Sequence, residues 1–588
     1  MQEILSKKRH TLAHILAYTC QNKYQDAQLT IGPAVDNGFY YDIDFKKDSK
    51  PNTSDDLEAI TKDMQKIIHT GGTFSHESVS YEKAKESFVN NKYKLELIEE
   101  IQSKGEEITL YSINFKDGKT FTDLCRGGHC EEISDIAEGS FKLNKIAGAY
   151  WRGDEKREQL TRIYGLAFET KEELDNYEAQ LEEAKNNDHR ALGEKLDLFA
   201  FDESIGKGLP IWLPKGNIIK EELEKWAKET EDAWGYSRVT TPIITKENLF
   251  LTSGHLPMYK DSMYAPIEIE NENYYIKPMN CPFHHKTFAA RPKTYKDLPL
   301  RLCEYGWCHR YEDSGSLFGL MRVRGMQMND AHIYVQKENA VEEFVNVIKL
   351  HEYYYKILGI KNYEMELALR DPNNIAKYHG DEQDWIDAER MTVEAMEKSG
   401  VPYKTVNEGA AFYGPKMDFQ IYSSIGRAFT ASTNQLDLYM GKAFKLEYVD
   451  SDGQRKTPAI IHRAPLGTHE RFVGFLIEHF GGNFPLWLSP VQVAIIPVNM
   501  EKHSDYAKAI YDALRSEKIR AEYEHNNTNG LGKKVRNAKE MKYPYWIVVG
   551  DSDIETNTLT LESRSGEKLN ITKEELINRL KMEIIEKR

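Results

Sequence analysis

Residues 489–588 alternate short apolar runs with amphipathic segments. Four runs predict strands: "SPVQVAIIPV" (489–498), "IRAEYEH" (519–525), "YWIVVG" (545–550) and "TLTLESR" (558–564). Between them, residues 504–517 carry apolar side chains at helical spacing, and residues 532–542 form a basic helical segment. This alternation predicts a small α/β domain at the end of the chain.

An alternation with a period of two lies nearer the middle of the chain. The segments "RLCEYGWCHRYED" (301–313) and "MQMNDAHIYV" (326–335) predict two strands, and "DSGSLFGLMRVRG" (313–325) predicts the loop that joins them. Side chains that would share a face are Cys308, Arg310 and Glu312 on the first strand and Met328, Asp330 and His332 on the second. If the strands pair as a hairpin, arginines, carboxylates and a histidine converge on one surface. A surface hairpin with ordinary charge pairs is the alternative.

A strand, a turn and a helix are predicted in "PAIIHRAPLGTHERFVGFLIEHF" (458–480). The strand ends near His462, and the helix begins near Thr468, a favourable N-cap residue. Arg471 falls in the first turn of that helix, where the helix dipole disfavours a cation. The arginine therefore suggests an anionic ligand at this end of the helix.

The remaining chain predicts two further regions. Residues 1 to about 168 mix helix and strand signals, and "GPAVDNGFYYDIDF" (32–45) is typical of a turn followed by a strand. Residues 169–198 are charged, with apolar residues at helical spacing, and predict a connecting helix. We therefore expect four segments, 1–168, a linker helix 169–198, 199–488 and 489–588.

Composition excludes several classes of protein. Of the 588 residues 40% are hydrophobic and 29% charged, as in ordinary globular proteins, and no apolar run approaches the roughly 18 residues of a membrane span. The N-terminus has no signal-peptide core, so a cytoplasmic protein is expected. Six cysteines favour reduced thiols over a disulfide scaffold. Because the net charge is −15, contact with nucleic acid would need local basic patches.

The ordered motifs resemble those of class II aminoacyl-tRNA synthetases, and specifically the threonyl-tRNA synthetase family. "VTTPIITKENLF" (239–250), "RLCEYGWCHRYED…GLMRVRG" and "LGTHERFVGFL" are similar to motifs 1, 2 and 3 of the class. The threonyl resemblance rests on "HTLAH", "GPAVDNGFYYDID", "DLCRGGH", "AYWRGD", "KPMNCP", "NDAHIY", "AFYGPKMDF", "NQLDLY" and "IIHRAPLGTHERF". The resemblance covers essentially the whole chain. It implies an N-terminal α+β editing domain, a catalytic domain built on an antiparallel sheet, a C-terminal α/β anticodon-binding domain and, through motif 1, a homodimer.

The resemblance implies one catalytic zinc per subunit, held by Cys281, His332 and His462. Three protein ligands leave zinc an open position, as a catalytic site needs. Asp330 would accept a hydrogen bond from the threonine amine, with Tyr413 and Gln435 lining the pocket and Lys416 as a further phosphate or amine contact. A site that binds the hydroxyl rejects valine. Serine lacks only a methyl group, worth about 1–3 kcal/mol, so a separate proofreading site is expected.

The N-terminal region supplies a candidate for that proofreading site. His10 and His14 lie four residues apart, on one face of a predicted helix, and Cys125 and His129 have the same spacing in a glycine-rich stretch that favours a loop. In the threonyl family this set forms a metal-free centre that hydrolyses seryl-tRNA, to which Lys94, Tyr41 and Asp123 also belong. A zinc site is the alternative interpretation of the same four residues.

The resemblance also assigns the residues that activate threonine. Arg310 would contact the α-phosphate of ATP and the substrate carboxylate, and Glu312 the adenine amine. Arg471 would stack on adenine and reach the γ-phosphate, assisted by Arg322. A planar guanidinium suits these tasks better than lysine does. Magnesium is expected to accompany ATP.

The C-terminal domain would bind the anticodon of tRNA(Thr). A basic patch in "GLGKKVRNAKEMK" (530–542) comprises Lys533, Lys534, Arg536, Lys539 and Lys542. A solvated helix face is the alternative.

Three departures from the family pattern stand out. Glu562 lies where relatives often carry an anticodon-reading arginine, so Arg564 is a candidate replacement. Met328 lies where several relatives carry glutamine near the substrate. Many relatives also begin with a small ubiquitin-like domain, whereas this chain begins at the editing domain.

Two other functions compete with a threonine–tRNA ligase. A prolyl- or seryl-type synthetase would not explain Cys281, His332 and His462 together with the two N-terminal histidine motifs. A non-catalytic RNA-binding relative would be expected to lose Arg310, Glu312 or Arg471, and the chain has all three.

Overall fold

The computed structural model describes residues 2–24, 26–45, 50–422, 428–526 and 528–588. The chain divides into two compact units, Met1–Glu182 (unit 1) and Glu183–Arg588 (unit 2). Within the described ranges, none of the helices combines the length and the apolar character needed to cross a bilayer.

Unit 1 combines helices with two antiparallel sheets. Its helices are α1 (Gln2–Lys23), α2 (Ser54–Thr70), α3 (Tyr81–Ser87), α4 (Lys92–Ser103) and α5 (Lys171–Asn186), the last of which runs past the unit boundary. Its strands are β1 (Gln28–Leu29), β2 (Ala34–Val35), β3 (Gly38–Asp44), β4 (Gly72–Ser78), β5 (Thr109–Phe115), β6 (Thr120–Leu124), β7 (Phe141–Tyr150) and β8 (Gln159–Ala167). The sheet orders are β1-β3-β8-β7, with β2 beside β3, and β4-β5-β6. Residues 11–20 of α1 are all buried, with Leu12, Ile15 and Leu16 in the core, so this half of the helix is enclosed on every side.

Unit 2 contains the elements predicted around the class II motifs and the C-terminal α/β domain. Its helices are α6 (His189–Lys195), α7 (Pro214–Ala233), α8 (Asn248–Thr252), α9 (His255–Met258), α10 (Cys281–Ala289), α11 (Ala340–Ile357), α12 (Glu382–Ser399), α13 (Met440–Ala443), α14 (His469–Phe480), α15 (Met500–Ser516), α16 (Leu531–Glu540), α17 (Asp551–Thr556) and α18 (Lys573–Ile585). Its strands up to residue 464 are β9 (Phe199–Ala200), β10 (Ile211–Trp212), β11 (Ser237–Arg238), β12 (Ile244–Lys246), β13 (Ile267–Ile269), β14 (Glu272–Ile276), β15 (Leu300–His309), β16 (Gly325–Val335), β17 (Tyr363–Ala368), β18 (Tyr403–Val406), β19 (Lys416–Tyr422), β20 (Ala428–Asp437), β21 (Tyr448–Val449), β22 (Arg455–Lys456) and β23 (Ala459–Ala464). The C-terminal strands are β24 (Val493–Pro497), β25 (Ala521–Tyr523), β26 (Tyr545–Val549), β27 (Leu559–Ser563) and β28 (Lys568–Ile571).

An eight-stranded sheet forms the centre of unit 2. Its order is β11-β15-β16-β23-β20-β19-β17-β18, and the six strands from β15 to β17 pair antiparallel. The predicted hairpin is confirmed, since β15 pairs with β16 over ten residues. Ala331 and Ile333 of β16 face a core that includes residues of α7, α11 and α14, so Asp330 and His332 point to the opposite face.

The C-terminal α/β domain is confirmed as a five-stranded sheet in the order β25-β24-β26-β27-β28. The strand pairs β24–β25 and β24–β26 are parallel, and the other two pairs are antiparallel. Helices α15 and α16 lie at the two helical segments predicted from periodicity. Helices α17 and α18 were not among the sequence predictions.

The connecting segment 169–198 is helical but not continuous. Helix α5 ends at Asn186, and Asp188 caps the start of α6 by accepting a hydrogen bond from the backbone N–H of Arg190. His189 is fully buried, with its Nδ1 2.7 Å from Glu478 Oε1 and its Nε2 3.1 Å from the Leu320 backbone nitrogen. Anchoring this imidazole in unit 2 breaks the single helix that the pattern predicted.

Candidate functional site

The register of the large sheet aligns several predicted site residues in one row. His332 of β16 lies opposite His462 of β23, His462 lies opposite Gln435 of β20, and Gln435 lies opposite Lys416 of β19. Directly opposed residues in antiparallel strands project from the same face. Asp330 precedes His332 by two residues and therefore shares this face.

Helix α10 brings the cysteine to the two histidines. Phe288 of α10 packs with Leu302, Tyr334 and Ile460 of the sheet, and this fixes the helix over the row. Cys281 is the first residue of the helix. The cysteine sulfur and one nitrogen from each of His332 and His462 lie within 4.8 Å of one another.

The hydrogen bonds of the two histidines leave one nitrogen of each ring available to bind a metal ion. His332 Nδ1 lies 2.8 Å from His284 Nδ1, and His462 Nε2 lies 2.8 Å from Asp437 Oδ2. The other two ring nitrogens, His332 Nε2 and His462 Nδ1, are buried and have no hydrogen-bond partner among the described residues. Unpaired buried polar atoms are rare, so a Cys–His–His set of this kind fits a zinc ion.

Burial keeps Cys281 and His332 uncharged in the protein alone. Burial raises the pKa of the Cys281 thiol well above its usual value, and the nearby Asp330 carboxylate adds to the effect. Burial and His462 lower the pKa of His332 well below its usual value. A neutral imidazole is the form that binds a metal, whereas the thiol would lose its proton on binding.

Three arginines meet beside this centre. Arg310, Arg322 and Arg471 line the same cavity of about 400 Å³ as Cys281 and His462. Arg310 and Glu312 lie beyond the end of β15 at His309, so the prediction that they extend the strand is wrong. The Arg310 N–H still donates to the Arg324 carbonyl oxygen, in register with the hairpin. The Arg324 N–H donates to the Gly208 carbonyl oxygen instead of returning to Arg310, so the ladder ends here. Both Arg310 and Glu312 line the cavity.

The arginine cluster has little carboxylate to balance it. Arg322 Nε donates to Glu312 Oε2 at 2.9 Å, whereas Arg310 and Arg471 donate to the carbonyl oxygens of Pro278 and Met321, both at 3.1 Å. Burial lowers the pKa of Arg471, and the guanidinium groups of Arg310 and Arg322 lower it further. Two partly unbalanced cations in one cavity are suited to binding an anion such as a phosphate chain.

The other predicted contacts also line this cavity, including Asp330, Tyr413, Lys416, Gln435 and the divergent Met328. Tyr413 Oη donates to Gln435 Oε1 at 2.6 Å, and the Lys416 ammonium pairs with Asp418. Burial raises the pKa of Asp330, whose Oδ2 accepts a hydrogen bond from Asn280. His332 is fully buried beneath the cavity and does not line it.

Sequence reasoning missed a histidine in the cavity wall. His255 is 2% exposed, lines the cavity and contacts Ser253 Oγ through Nδ1 at 2.7 Å. Burial lowers the pKa of His255 to about 3, and His462 and Arg310 contribute. Its only sequence signal is a histidine between small and apolar residues, which is too common to select.

Unit 1 contains a second cavity, of about 390 Å³. His10 and His14 of α1 meet Cys125 and His129 of a loop, and one ligand atom from each of the four lies within 4.8 Å of the others. The Cys125 sulfur is 3.6 Å from His10 Nε2 and 3.3 Å from His129 Nε2. The predicted loop conformation around Cys125 is therefore confirmed.

A buried ion pair lies at the floor of the second cavity. Lys94 Nζ is 2.5 Å from Asp123 Oδ1, and both side chains are almost fully buried. Tyr41 donates to Asp123 Oδ2 at 2.7 Å, and His14 Nδ1 lies 3.6 Å from the same oxygen. All seven residues predicted for this site thus lie together.

Burial favours the neutral form of the histidines beside the second cavity. Burial lowers the pKa values of His10 and His14, and it lowers that of His129 to about 2. Burial also raises the pKa of Cys125 to about 11, so this thiol is not a ready nucleophile. The chemistry available here is orientation of water or its activation by a neutral base.

The C-terminal domain presents part of the predicted basic patch. Lys533, Arg536 and Lys539 of α16 are exposed, but Lys534 is 3% exposed and its Nζ lies 3.4 Å from the Pro497 carbonyl oxygen. Arg564 donates to the carbonyl oxygens of Lys542, Asn483 and Phe484, so its guanidinium is already occupied. This geometry disfavours Arg564 as the reader of an anticodon base.

Comparison with known proteins gives a consistent result along the chain. The tRNA synthetase class II core domain (G, H, P, S and T) matches residues 264–480, and the anticodon binding domain matches residues 492–583. The threonyl and alanyl tRNA synthetase second additional domain matches residues 108–164. These matches favour a threonyl enzyme over the prolyl and seryl alternatives.

Whole-chain relatives and a solved structure agree with these domains. The threonine–tRNA ligase of Staphylococcus carnosus is 43% identical over 584 residues, covering 99% of this chain and 88% of that protein. The enzyme of Staphylococcus aureus strain JH9 is 42% identical over 585 residues, covering 99% of this chain and 89% of that protein. The RNA binding domain of threonyl-tRNA synthetase from Cryptosporidium parvum aligns with a TM-score of 0.64 and 32% identity, over 67% of this chain and 98% of that one. The chain belongs to the threonine–tRNA ligase family of class II aminoacyl-tRNA synthetases.

Proposed function

We propose that the chain ligates L-threonine to tRNA(Thr) through a threonyl-adenylate, recognises threonine through a zinc centre, and hydrolyses mischarged seryl-tRNA(Thr) in unit 1. One observation carries the proposal. Two buried histidine nitrogens, which have no hydrogen-bond partner among the described residues, lie close to the Cys281 sulfur, and Cys281 and His462 line the same cavity as the arginines. A metal centre beside an anion site fits an enzyme that holds an amino acid against ATP.

Cys281, His332 and His462 would hold the zinc ion. When bound, the ion supplies a Lewis-acidic centre with an open position for the hydroxyl and amino groups of threonine. Asp330, on the same face as His332, would accept a hydrogen bond from the substrate amine. The Tyr413–Gln435 pair would close the pocket from the side of β20. These contacts hold threonine in one orientation for reaction.

The arginines would carry the adenylation step. Arg310 would bind the α-phosphate and the threonine carboxylate, which aligns the carboxylate oxygen with the phosphorus. Arg471 would stack on adenine and hold the γ-phosphate with Arg322, while Glu312 would meet the adenine amine. The carboxylate attacks the α-phosphate, the threonyl-adenylate forms, and pyrophosphate leaves, with ATP bound together with Mg²⁺. A hydroxyl of the terminal tRNA ribose then displaces AMP.

Unit 1 would remove serine from the mischarged tRNA. His10 and His14 would orient a water molecule or take its proton as it attacks the ester, with Cys125 lining the cavity and His129 in contact with the Cys125 sulfur. Lys94, held by Asp123, would stabilise the negative charge that develops on the ester or hold the ribose. The products are serine and free tRNA.

The domain assignment completes the proposal. We assign editing to 1–168, a linker to 169–198, catalysis to 199–488 and anticodon binding to 489–588. We also propose a homodimer with one zinc per subunit, acting in the cytoplasm. Ile243 and Ile244, within the motif 1 segment, are exposed apolar side chains, which supports an interface that covers this surface in the dimer.

The proposed specificity is tested by ATP–pyrophosphate exchange with threonine, serine and valine, before and after zinc is removed with a chelator. We expect strong exchange with threonine, weaker exchange with serine and almost none with valine, and we expect chelation to abolish it. Exchange with a different amino acid would overturn the substrate assignment.

Replacement of Arg310 by glutamine tests the anion site. We expect threonine-dependent exchange to fall about 10²–10³-fold, because a positioned donor to the developing charge is lost. Arg390→Gln is a matched control, since this exposed arginine of α12 lies outside the cavity. Equal activity of the two variants would contradict the assigned role.

The exposed basic residues of α16 are tested by a triple variant, Lys533→Gln, Arg536→Gln and Lys539→Gln. We expect weaker tRNA binding and a shallower dependence of affinity on salt, because fewer counterions are released on binding. Threonine-dependent exchange should not change. The matched control replaces Lys502, Lys508 and Lys518, three exposed lysines of the same domain, by glutamine. Equal loss in both variants would indicate a nonspecific charge effect.

A further inference from the structure

Two buried polar side chains are linked by hydrogen bonds, one after the other, to the candidate zinc ligand His332. His332 Nδ1 lies 2.8 Å from His284 Nδ1, and His284 Nε2 lies 3.1 Å from Glu304 Oε2. Both histidines are fully buried, and Glu304 is 5% exposed. None of these three hydrogen-bonded residues lines the cavity. Packing alone does not explain why three polar side chains are buried and linked here.

The far end of the chain fixes Glu304 as a hydrogen-bond acceptor. The Thr241 backbone N–H donates to its Oε1 at 2.9 Å, and Thr241 Oγ1 donates to its Oε2 at 2.8 Å. Lys277 Nζ donates to Thr241 Oγ1 at 2.9 Å and lies 3.5 Å from Glu304 Oε1. The carboxylate therefore has donors on both oxygens, and its remaining neighbour, His284 Nε2, must also donate to it.

This constraint determines the proton position on each ring. A single ring proton on His284 lies on Nε2, so its Nδ1 accepts a hydrogen bond from His332 Nδ1. His332 then carries its own proton on Nδ1, which leaves the Nε2 lone pair free toward Cys281. This is the nitrogen that has no partner among the described residues.

Asp437 has the same effect on the second histidine ligand. Its Oδ1 accepts hydrogen bonds from the backbone N–H groups of Tyr439 and Met440, both at 2.8 Å. Its Oδ2 lies 2.8 Å from His462 Nε2, so that nitrogen is the donor. The Nδ1 lone pair of His462 is therefore free.

We propose that His284, Glu304 and Asp437 are positioning residues that fix the tautomer and orientation of His332 and His462 for zinc. The inference rests on the proposed zinc centre and deepens it. Outer carboxylates and histidines commonly orient metal-binding imidazoles in this way. Thr241 belongs to the motif 1 segment. The hydrogen bonds through Glu304 and His284 therefore connect that segment to the candidate zinc ligand His332.

A second set of side chains competes for the ion. His285, Asp437 and His462 also bring three ligand atoms within 4.8 Å of one another. In the proposed arrangement Asp437 hydrogen-bonds to the ligand His462 and does not bind the zinc ion itself. His285 Nδ1 lies 2.9 Å from Tyr334 Oη, and this histidine neither binds the ion nor orients a ligand. His284 and His285 are adjacent in α10 and equally buried, so they form a matched pair.

The test measures zinc affinity of the full chain by competition with a chelator in the variants His284→Gln, Glu304→Gln and His285→Gln. We expect about 10–100-fold weaker zinc binding for the first two and wild-type binding for the third. The KM for threonine should rise in the first two while the KM for ATP stays unchanged. Glu304→Gln keeps the size of the side chain, so it serves if His284→Gln does not fold.

Each outcome separates the inference from the proposed function. If wild-type protein binds no zinc, or Cys281→Ser binds it as well as wild type does, the zinc centre itself is wrong. If wild type binds zinc, Cys281→Ser does not, and His284→Gln and Glu304→Gln match wild type, only the positioning role is overturned. Loss of zinc in His285→Gln equal to that in His284→Gln would favour the second set. A parallel rise in both KM values would indicate general distortion of the sheet.

Discussion

Replacing Cys281 by serine should reduce threonine-dependent ATP–pyrophosphate exchange about 10⁴-fold. A site built around polar recognition of a substrate discriminates by about 10⁴–10⁵ when that recognition is lost, because its buried groups are left unpaired. Here the buried groups are His332 Nε2 and His462 Nδ1, which have no hydrogen-bond partner in the described part of the chain, and Asp330, which burial keeps poorly solvated. The measurement is exchange at several threonine concentrations, together with the zinc content of each preparation.

A second buried cysteine provides the control. Cys303 lies in β15, is 1% exposed and does not line the cavity. Cys303→Ser should retain zinc and keep most of the exchange activity, although a buried hydroxyl lowers stability slightly. Full exchange by zinc-free Cys281→Ser would mean that the Cys–His–His set is structural and that threonine is recognised by other groups.

The sequence pattern was sufficient to predict the sheet that carries the site. Alternation with a period of two predicted the β15–β16 hairpin, and a threonine at an N-cap position predicted the start of α14 at His469. Since a two-residue period determines the face of each side chain, Asp330 and His332 could be assigned to one surface before the fold was known. Pairing with His462 could not be predicted from local pattern, because β23 is far away in sequence and its register depends on the whole sheet.

The ends of strands and the burial of individual side chains were harder to predict from the sequence. Strand β15 was predicted to reach Glu312 but ends at His309, because the Arg324 N–H donates to the Gly208 carbonyl oxygen instead of returning to the backbone of Arg310. The basic patch was predicted to include Lys534, which is buried because its apolar stem packs inside the domain while its ammonium reaches a carbonyl oxygen. Helical periodicity does not reveal which lysine of a basic helix turns inward.

The outer partners of the candidate zinc ligands were also beyond sequence reasoning. His284 and Glu304 become informative only when the free nitrogen of His332 is known, and that depends on hydrogen bonds across three elements. The two adjacent histidines of "CPFHH" look equivalent in sequence. In the fold one contacts a candidate ligand and the other contacts a tyrosine.

The double variant His10→Ala, His14→Ala should lose hydrolysis of seryl-tRNA(Thr) by about 10²–10⁴-fold, the usual contribution of a positioned acid or base. The histidines are better targets than Lys94. Removing Lys94 would leave Asp123 charged and buried, and breaking such a pair costs about 3–5 kcal/mol, which would confuse lost chemistry with lost folding. The measurement is the rate of deacylation of preformed seryl-tRNA(Thr), with threonine-dependent exchange measured on the same protein, which should be unchanged.

The matched control for this double variant is His69→Ala, His76→Ala, which removes two exposed histidines from the same unit. It should hydrolyse seryl-tRNA(Thr) at the wild-type rate. Unchanged hydrolysis in the His10, His14 variant would overturn the editing assignment. If the four residues of unit 1 instead bind zinc, the zinc content of the variants should differ. The unit 1 zinc would be lost in the His10, His14 variant and retained in Cys281→Ser. Hydrolysis by wild-type protein from which all zinc has been removed would exclude that alternative, since a neutral imidazole and a bound water are sufficient for the reaction proposed here.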